Sequence, residues 1–270
     1  MSTTVAGVLA GSGLPPIEAQ VLAAHALGLS RARLLADSQR SLDADAVRGI
    51  ERLFLRRRAG EPVAYLTGER EFYGLSLAVT PDVLIPRPET ERLVELAVER
   101  LPNRAGRVLD LGTGSGAIAV AIAHAAPDAE VFAVDSSGAA LAIARENARR
   151  HGAGIRFVEG EWFARLAGER FDVVVSNPPY VAAGDGHLGE GDLRFEPRTA
   201  LVGGPDGLDA IRTIVAGAKA QLVSGGWLLF EHGFDQAERC RSLLAMYGYP
   251  GIASWDDLAG VARVAGARAP

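Results

Sequence analysis

The chain has 270 residues, 48% of them hydrophobic, and its 28 Lys and Arg against 33 Asp and Glu give a formal net charge of −5. That hydrophobic fraction excludes a wholly disordered chain, and the length predicts one large domain or two smaller ones. The single Cys240 excludes an intramolecular disulfide and a cysteine-based zinc site, and the His residues show no ligand spacing, so we expect no metal. No stretch reaches the roughly 18 apolar residues that cross a membrane, and no secretory signal is evident, which predicts a cytoplasmic protein without membrane contact.

Residues 1–61 predict a small helical domain. Apolar residues recur at helical spacing over 15–29, where Gly28 is expected to end the helix, and again over 41–60. Ser30 is expected to cap a short helix between them.

The segment 62–88 differs in character, since it alternates apolar and polar residues in places and contains several prolines and glycines. We expect a β-hairpin that forms a structured linker, with residues 72–80 as its strand part. Pro86 and Pro88 favour an extended backbone, so the next helix should begin near Glu89.

From residue 89 onward the pattern alternates between strand and helix. Apolar runs joined by helical segments are typical of a parallel sheet that is covered on both faces. We expect the last apolar run, 260–268, to add an edge strand, and the long, glycine-rich segment 182–207 to form a mobile cover over a substrate site. The other predicted strands are 107–111, 130–135, 154–158, 171–176 and 226–231, and the predicted helices are 116–126, 138–150, 208–222 and 234–246.

The octapeptide DLGTGSGA, which begins at Asp110, follows a predicted strand and opens a predicted helix. Gly112, Gly114 and Ala117 have the spacing of a Rossmann-type loop, whose glycines let the backbone approach a ligand closely. Asp135 ends the next strand, where its carboxylate can accept hydrogen bonds from two ribose hydroxyls. These features predict an adenosine-containing cofactor, either a dinucleotide or S-adenosylmethionine. Asp110 favours S-adenosylmethionine, because a carboxylate here attracts the ammonium of a methionine moiety and repels a pyrophosphate.

The motif Asn177-Pro178-Pro179-Tyr180 follows the apolar strand 171–176, at the end of the strand where open α/β sheets bind ligands. The two prolines stiffen the turn and remove two N–H donors, which leaves the Asn177 side-chain oxygen and the Pro178 carbonyl as adjacent acceptors for a planar NH2 group. Tyr180 supplies an aromatic face against which a planar amide or base can stack. The turn therefore predicts methyl transfer to an amide or aryl amine nitrogen that is held in line with the methyl of a sulfonium.

These motifs resemble those of the HemK/PrmC-type protein-glutamine methyltransferases, which modify peptide chain release factors. The resemblance spans nearly the whole chain, and LIPRPET together with SNPPY is its most specific part. The segments that carry it are EPVAYLTGEREFYG (61–74), VLIPRPETERLVE (83–95), DLGTGSGAIA (110–119), AVD (133–135), SNPPY (176–180), FEP (195–197), GGPDGLDAIR (203–212), LFEHG (229–233) and DLAG (257–260).

The resemblance implies an α/β fold with a Rossmann-like, seven-stranded S-adenosylmethionine-dependent methyltransferase domain (89–270). A small helical, release-factor-binding domain (1–61) and a β-hairpin linker (62–88) would precede it. The resemblance also implies methylation of the side-chain amide nitrogen of the glutamine in the release factors' Gly-Gly-Gln motif.

Site residues are implied by matching the family's motifs to this sequence. The residues implied to bind S-adenosylmethionine are Asp110, Gly112, Thr113, Gly114, Ser115, Gly116, Asp135, Trp162, which flanks the adenine, and Asn177. The residues implied to bind the acceptor glutamine are Asn177, Pro178, Pro179 and Tyr180, with Arg87 and Glu89 lining the entrance or bracing the loop. Asn177, Pro178 and Tyr180 are the implied catalytic residues. The family often has Asp before the tryptophan, where this chain has Glu161.

Alternatives to this function come from the same turn and loop. A flipped adenine or guanine would also fit the turn, so an amino-methyltransferase acting on nucleic acid is one alternative, against which the acidic net charge and the lack of an obvious target-recognition segment argue. A non-catalytic S-adenosylmethionine-binding adaptor is a second, against which the intact NPPY turn argues. Asp110 and the same turn disfavour a dehydrogenase. We expect a monomer that binds release factors and does not bind nucleic acid directly.

Overall fold

A computed structural model of the chain describes residues 3–270. Its contacts group the chain into two compact units. The first comprises the described residues up to Glu69 together with Gly189–Phe195, and the second comprises Arg70–Leu188 and Glu196–Pro270. The functional division into 1–61, 62–88 and 89–270 stays a prediction.

The first unit contains five α-helices. They are α1 (Val5–Ala10), α2 (Pro16–Leu27), α3 (Arg31–Ala36), α4 (Ala44–Arg58) and α5 (Val63–Thr67). Two predicted helix signals are confirmed: Gly28 follows α2 in a left-handed conformation, and the Ser30 side chain accepts a hydrogen bond from the Arg33 amide at the start of α3. Helices α2 and α4 are somewhat shorter than the predicted ranges 15–29 and 41–60. Ile50 and Phe54 of α4 are buried in the core of this unit.

Helix α5 lies within the range 62–88 for which the sequence predicts a hairpin linker, so this part of the prediction is wrong. Pro62 precedes its first turn, where the fixed φ of proline suits a helix start, and Gly68 ends it with a φ of 74°. The helix packs against α2 and α4. Five residues show too little periodicity for the sequence alone to distinguish a helix from a strand.

The predicted hairpin is confirmed over a shorter range. It consists of β1 (Glu69–Phe72) and β2 (Leu75–Ala78), which pair with each other. Tyr73 and Gly74 form its two-residue turn, and both have a positive φ, as the tightest hairpin turns require.

A seven-stranded sheet forms the centre of the second unit, as the resemblance implies. Its strands are β3 (Ala105–Leu111), β4 (Asp128–Asp135), β5 (Ile155–Glu159), β6 (Phe171–Ser176), β7 (Leu222–Glu231), β8 (Ala253–Asp256) and β9 (Ala262–Arg268). The strand order is β5–β4–β3–β6–β7–β9–β8, and the first five strands run parallel to one another. Strand β9 is antiparallel to both of its neighbours, β7 and β8. Apolar clusters on both faces bury the sheet beneath helices. These helices are α6 (Glu91–Arg100), α7 (Ala117–Ala125), α8 (Gly138–Arg150), α10 (Asp209–Ala218) and α11 (Ala237–Met246). The short helix α9 (Arg198–Leu201) lies in the segment between β6 and α10.

The predicted position of the edge strand is wrong. Strand β9 pairs with β7 on one side and with β8 on the other, so Val264 and Ala265 are fully buried and the edge belongs to β8. The sequence did not indicate β8, because three of its four residues are only partly buried, Asp256 is exposed, and the four form no apolar run.

The parallel strands bring four chain segments to one edge of the sheet. Leu111 of β3 lies in register with Val134 of β4 and Ser176 of β6, and Ser176 with Phe230 of β7. The residues that follow these positions therefore meet at the carboxyl edge, where open α/β sheets bind their ligands. No helix among residues 3–270 is long and apolar enough to cross a lipid bilayer.

Candidate active site

The glycine loop joins β3 to α7 at the carboxyl edge of the sheet. The amides of Gly112 and Thr113 both donate to the Val134 carbonyl, at 2.9 and 3.0 Å. Gly116 has a φ of 80°, and a Cβ at this position would lie 3.0 Å from the Cβ of Ala144 on α8. Glycine is therefore required at position 116, for the left-handed backbone and for the close packing of the loop on α8.

Asp135, at the end of β4, supports the glycine loop. Its Oδ2 accepts a hydrogen bond from the Gly114 amide at 2.8 Å, and its Oδ1 accepts one from the Ser137 amide at 2.9 Å. Each carboxylate oxygen has two lone pairs, so the side chain retains the capacity to accept two further hydrogen bonds.

Asp110, the penultimate residue of β3, is fully buried. Its Oδ2 accepts a hydrogen bond from the Thr113 hydroxyl at 2.6 Å, while its Oδ1 has no hydrogen-bond partner among residues 3–270. Burial raises the pKa of Asp110 to about 7, and the negative charge of Asp135 adds to the rise. A bound cation would lower this pKa, because it would favour the ionised carboxylate.

A cavity of about 280 Å³ lies beside the glycine loop. The predicted site residues that line it are Arg87, Gly112, Thr113, Gly114, Ser115, Asp135, Trp162, Asn177 and Pro179. The predicted site residues outside the lining are Glu89, which is exposed, and Asp110, Gly116, Pro178 and Tyr180. The structure thus brings most of the predicted cofactor residues to one cavity, together with part of the NPPY turn.

Trp162 forms a wall of this cavity. A Cβ placed on Gly112 would lie 3.8 Å from the Cζ3 of the indole, so the ring lies next to the glycine loop. Trp162 has a φ of 46°, which is uncommon for a large side chain. Its neighbour Glu161 also lines the cavity.

The NPPY turn is held at both ends by side-chain hydrogen bonds. At its start, the Asn177 Nδ2 donates to the Thr90 hydroxyl at 3.1 Å. At its end, the Tyr180 hydroxyl donates to the Glu231 Oε1 at 3.0 Å. The Tyr180 ring packs against the apolar cluster below the sheet edge, and burial raises the pKa of its phenol well above the usual range. Tyr180 is therefore a neutral donor, and its stacking role stays a prediction.

The backbone of the GGPDG segment packs against the same turn. The Gly203 amide donates to the Val181 carbonyl at 2.9 Å, and a Cβ on Gly203 would overlap the Pro179 carbonyl oxygen. Gln236 adds a bond from its Nε2 to the Tyr180 carbonyl at 2.9 Å. Glycine at position 203 is explained by this close approach of two backbones.

Glu196 connects the predicted cover segment to the LIPRP motif. Its side chain is fully buried, its Oε2 accepts a hydrogen bond from the Ile85 amide at 3.0 Å, and its Oε1 forms an ion pair with Arg87. The neighbouring residues Thr199 and Ala200 line the cavity. This part of the segment therefore belongs to the cavity wall, and the mobility of the segment stays a prediction.

Sequence reasoning assigned no site role to Thr90, Glu231, Glu196 or Asn147. Asn147 exchanges hydrogen bonds with the backbone of Ala78 and donates to the Ser115 carbonyl at 2.8 Å, which ties the glycine loop to the hairpin. The sequence did contain one indication that Glu231 belongs to the site, because this residue ends an apolar strand at the edge where the other site residues lie. A carboxylate in that position is seldom buried without a partner.

Solved structures of methyltransferases share this fold. A 16S rRNA N2 G1207 methyltransferase from T. thermophilus, in complex with AdoMet and guanosine, aligns with a TM-score of 0.57 at 21% identity, over 75% of this chain and 50% of that chain. The catalytic domain of hMettl16, in complex with an RNA hairpin, aligns with a TM-score of 0.58 at 15% identity, over 76% of this chain and 79% of that chain. At these identities the likeness concerns the fold alone.

Sequence comparisons are more specific. The family model "PrmC N-terminal domain" matches residues 6–68, and "Methyltransferase small domain" matches residues 90–189. The release factor glutamine methyltransferase of Burkholderia pseudomallei is 54% identical over 99% of this chain and 96% of its own length. Those of Bordetella pertussis and Escherichia coli are 53% and 44% identical, over 98% and 92% of this chain and 98% and 90% of their own lengths. The chain belongs to the release factor glutamine methyltransferase family.

Proposed function

We propose that this chain transfers a methyl group from S-adenosylmethionine to the side-chain amide nitrogen of the glutamine in the Gly-Gly-Gln motif of peptide chain release factors. The observation that carries the proposal is the setting of Asn177, which lines the cavity beside the glycine loop while its Nδ2 donates to Thr90. Its Oδ1 is thereby available to accept a hydrogen bond from a substrate amide. The relatives described above are named for this reaction.

The residues of the cavity fit S-adenosylmethionine. Asp135 has acceptor capacity left for ribose hydroxyls, and the indole of Trp162 offers a flat apolar surface for an adenine. Asp110 lies outside the cavity lining but contacts Thr113 of the loop, and its unpartnered Oδ1 provides negative charge for an ammonium group. When bound, the cofactor supplies an electrophilic methyl group on a sulfonium.

The NPPY turn addresses the low nucleophilicity of an amide nitrogen, whose lone pair is delocalised into the carbonyl. We assign the Asn177 Oδ1 and the Pro178 carbonyl as acceptors for the two amide hydrogens, which raises the electron density on the nitrogen and orients it. The new N–C bond forms while the C–S bond breaks, and the surplus amide proton leaves to water afterwards. No general base is needed before transfer, because the proton can leave afterwards.

A protein substrate is favoured over nucleic acid for two reasons. The net charge of −5 does not favour a partner that is bound through its phosphates. The two structural neighbours described above, an rRNA methyltransferase and a catalytic domain in complex with a hairpin, are 21% and 15% identical, whereas the relatives at 44–54% identity are named for glutamine methylation.

The proposal includes a division of labour along the chain. We assign residues 1–61 to release-factor binding, 62–88 to a linker and 89–270 to cofactor binding and catalysis. The match of a family-specific N-terminal model to residues 6–68 supports a dedicated role for the helical part. The expected working form is a cytoplasmic monomer.

The test is to incubate the purified chain with methyl-labelled S-adenosylmethionine in the presence of release factors and, separately, of bulk RNA and DNA. We expect label in the release factors, on the glutamine of the Gly-Gly-Gln peptide when the digest is sequenced by mass spectrometry. Label in nucleic acid alone would overturn the proposal. A release factor whose motif glutamine is changed to alanine should remain unlabelled.

A further inference from the structure

A buried carboxylate lies behind the NPPY turn, where it contacts the last residue of the turn directly and the first residue through one intervening hydroxyl. Glu231 is 2% exposed, and its two oxygens accept hydrogen bonds from two hydroxyl groups. The Thr90 hydroxyl donates to Oε2 at 2.6 Å, and the Tyr180 hydroxyl donates to Oε1 at 3.0 Å. Thr90 in turn contacts the Asn177 amide at 3.1 Å. Glu231, Thr90 and Asn177 therefore form a hydrogen-bond chain, and Tyr180 is attached to its carboxylate end.

The number of donor hydrogens in this hydrogen-bond chain determines the orientation of the Asn177 amide. An ionised carboxylate can only accept hydrogen bonds, so the single hydrogen of the Thr90 hydroxyl is committed to Glu231. The short 2.6 Å distance is typical of a hydroxyl that donates to a carboxylate. The Thr90 oxygen can then only accept a bond from Asn177. Only the Nδ2 can donate that bond, and the Asn177 Oδ1 is left for the substrate.

We propose that Glu231 and Thr90 are positioning residues for methyl transfer, which set the Asn177 carboxamide so that its oxygen, and not its nitrogen, faces the acceptor amide. This inference rests on the function proposed above and deepens it. Neither residue contacts the substrate under this proposal, and both act through Asn177. In the reverse orientation, the Asn177 NH2 group would face the NH2 group of the substrate amide, and neither group could accept a hydrogen bond from the other.

The Tyr180 bond gives the same carboxylate a second effect. Asn177 and Tyr180 are the first and last residues of the turn, so one side chain couples the two ends of a segment that already contains two prolines. Preorganisation of this kind matters because small displacements of a reacting group are costly for the rate. Burial raises the pKa of Glu231, and the hydrogen bonds from the Thr90 and Tyr180 hydroxyls oppose that rise, because both favour the ionised carboxylate that the hydrogen-bond chain requires.

Four variants test the proposal. Glu231→Gln can donate from its amide to the Thr90 oxygen, which frees the Thr90 hydroxyl to donate to Asn177 and reverses the amide. Thr90→Val removes the hydroxyl while keeping the shape of the side chain, and Thr90→Ser retains the hydroxyl. Glu238→Gln, an exposed change on α11, is the matched control for loss of a carboxylate. The double variant Glu231→Gln/Thr90→Val tests whether the two residues act through one path.

We expect Glu231→Gln and Thr90→Val each to lower kcat for release-factor methylation by on the order of 10- to 100-fold. Thr90 and Asn177 line the cavity, but the Kd for S-adenosylmethionine by calorimetry should change much less than kcat, because Asp135 and the glycine loop are untouched by these variants. Thr90→Ser should recover most of the turnover, and the double variant should lose no more than the worse single variant, because both act on the same amide. Retained kcat in Thr90→Val, or losses that multiply in the double variant, would overturn the proposal.

A second readout does not depend on turnover. In 15N-labelled protein, the Asn177 side-chain amide protons should exchange slowly with solvent in the wild type and rapidly in Thr90→Val. Equal exchange rates in the two proteins would overturn the proposed chain even if the enzyme is active. A wild-type protein that methylates no glutamine but shows the protected amide would instead count against the proposed function.

Discussion

The Asp135 carboxylate accepts a hydrogen bond from the Gly114 amide at 2.8 Å, so the acid that ends β4 holds the middle of the glycine loop. The same side chain lines the cavity where the ribose of the cofactor is expected. One residue thus orders the loop and offers acceptors to the ligand.

Replacement of Asp135 by alanine should weaken S-adenosylmethionine binding by about 2 kcal/mol, or roughly 30-fold in Kd, because the acceptors for the ribose and the support of the loop are both lost. Calorimetric titration measures this directly. Asp128→Ala, at the exposed start of the same strand, is the matched control and should leave Kd unchanged. Unchanged affinity in Asp135→Ala would refute the ribose assignment.

Asn177→Ala should retain cofactor binding but lose turnover by about two to three orders of magnitude, since the substrate amide loses an aligned acceptor. A methyl-transfer assay with release factor, combined with calorimetry, separates the two effects. Asn177→Asp keeps a side-chain oxygen that can accept from the substrate amide, so we expect a smaller loss than for alanine. Its turnover should still lie below that of the wild type, because a carboxylate cannot donate to the Thr90 hydroxyl. Near-normal turnover in the alanine variant would contradict the assigned role.

Cofactor binding should depend on pH through Asp110, whose pKa burial raises to about 7. Below that pH the free protein carries a neutral Asp110, whereas a bound ammonium favours the ionised form, so binding must release a proton. Affinity should therefore fall as the pH is lowered through about 7, by at most about tenfold per pH unit.

Calorimetry in buffers of different ionisation enthalpy will count the released protons. In Asp110→Asn the group cannot titrate, and both the proton release in this range and the slope of affinity against pH should disappear. A wild-type protein whose affinity is flat across neutral pH would show that Asp110 does not respond to the cofactor.

Gly203→Ala should displace the NPPY turn, because the added methyl would overlap the Pro179 carbonyl oxygen. Overpacking of this kind costs about 1–3 kcal/mol, which urea denaturation can detect, and kcat should fall while the Kd for the cofactor changes little. Gly184→Ala in the same long segment is the matched control, since a Cβ there meets no atom within 4 Å. Equal stability and turnover in the two variants would mean that the GGPDG segment does not support the turn.

Local patterns in the sequence were sufficient to predict the central strands and helices of the cofactor domain. Strand 171–176 and helix 138–150 have the predicted limits, because a continuous apolar run indicates a buried strand, and Ser137 caps a helix that starts with small residues. The NPPY turn and the glycine loop were recognised for the same reason: their chemistry lies in consecutive residues. Their position at one edge followed from the parallel sheet.

Contacts between distant segments could not be deduced in this way. Helix α5, the short edge strand β8 and the interior place of β9 depend on what each segment packs against, and segments of four to seven residues have little pattern of their own. The same holds for Glu231 and Thr90, which are 141 positions apart in the chain. The sequence by itself determined which residues could do the chemistry, because residue type and local spacing decide that. Only the tertiary structure decided which buried groups orient them, because hydrogen-bond partners are selected by folding and not by proximity in sequence.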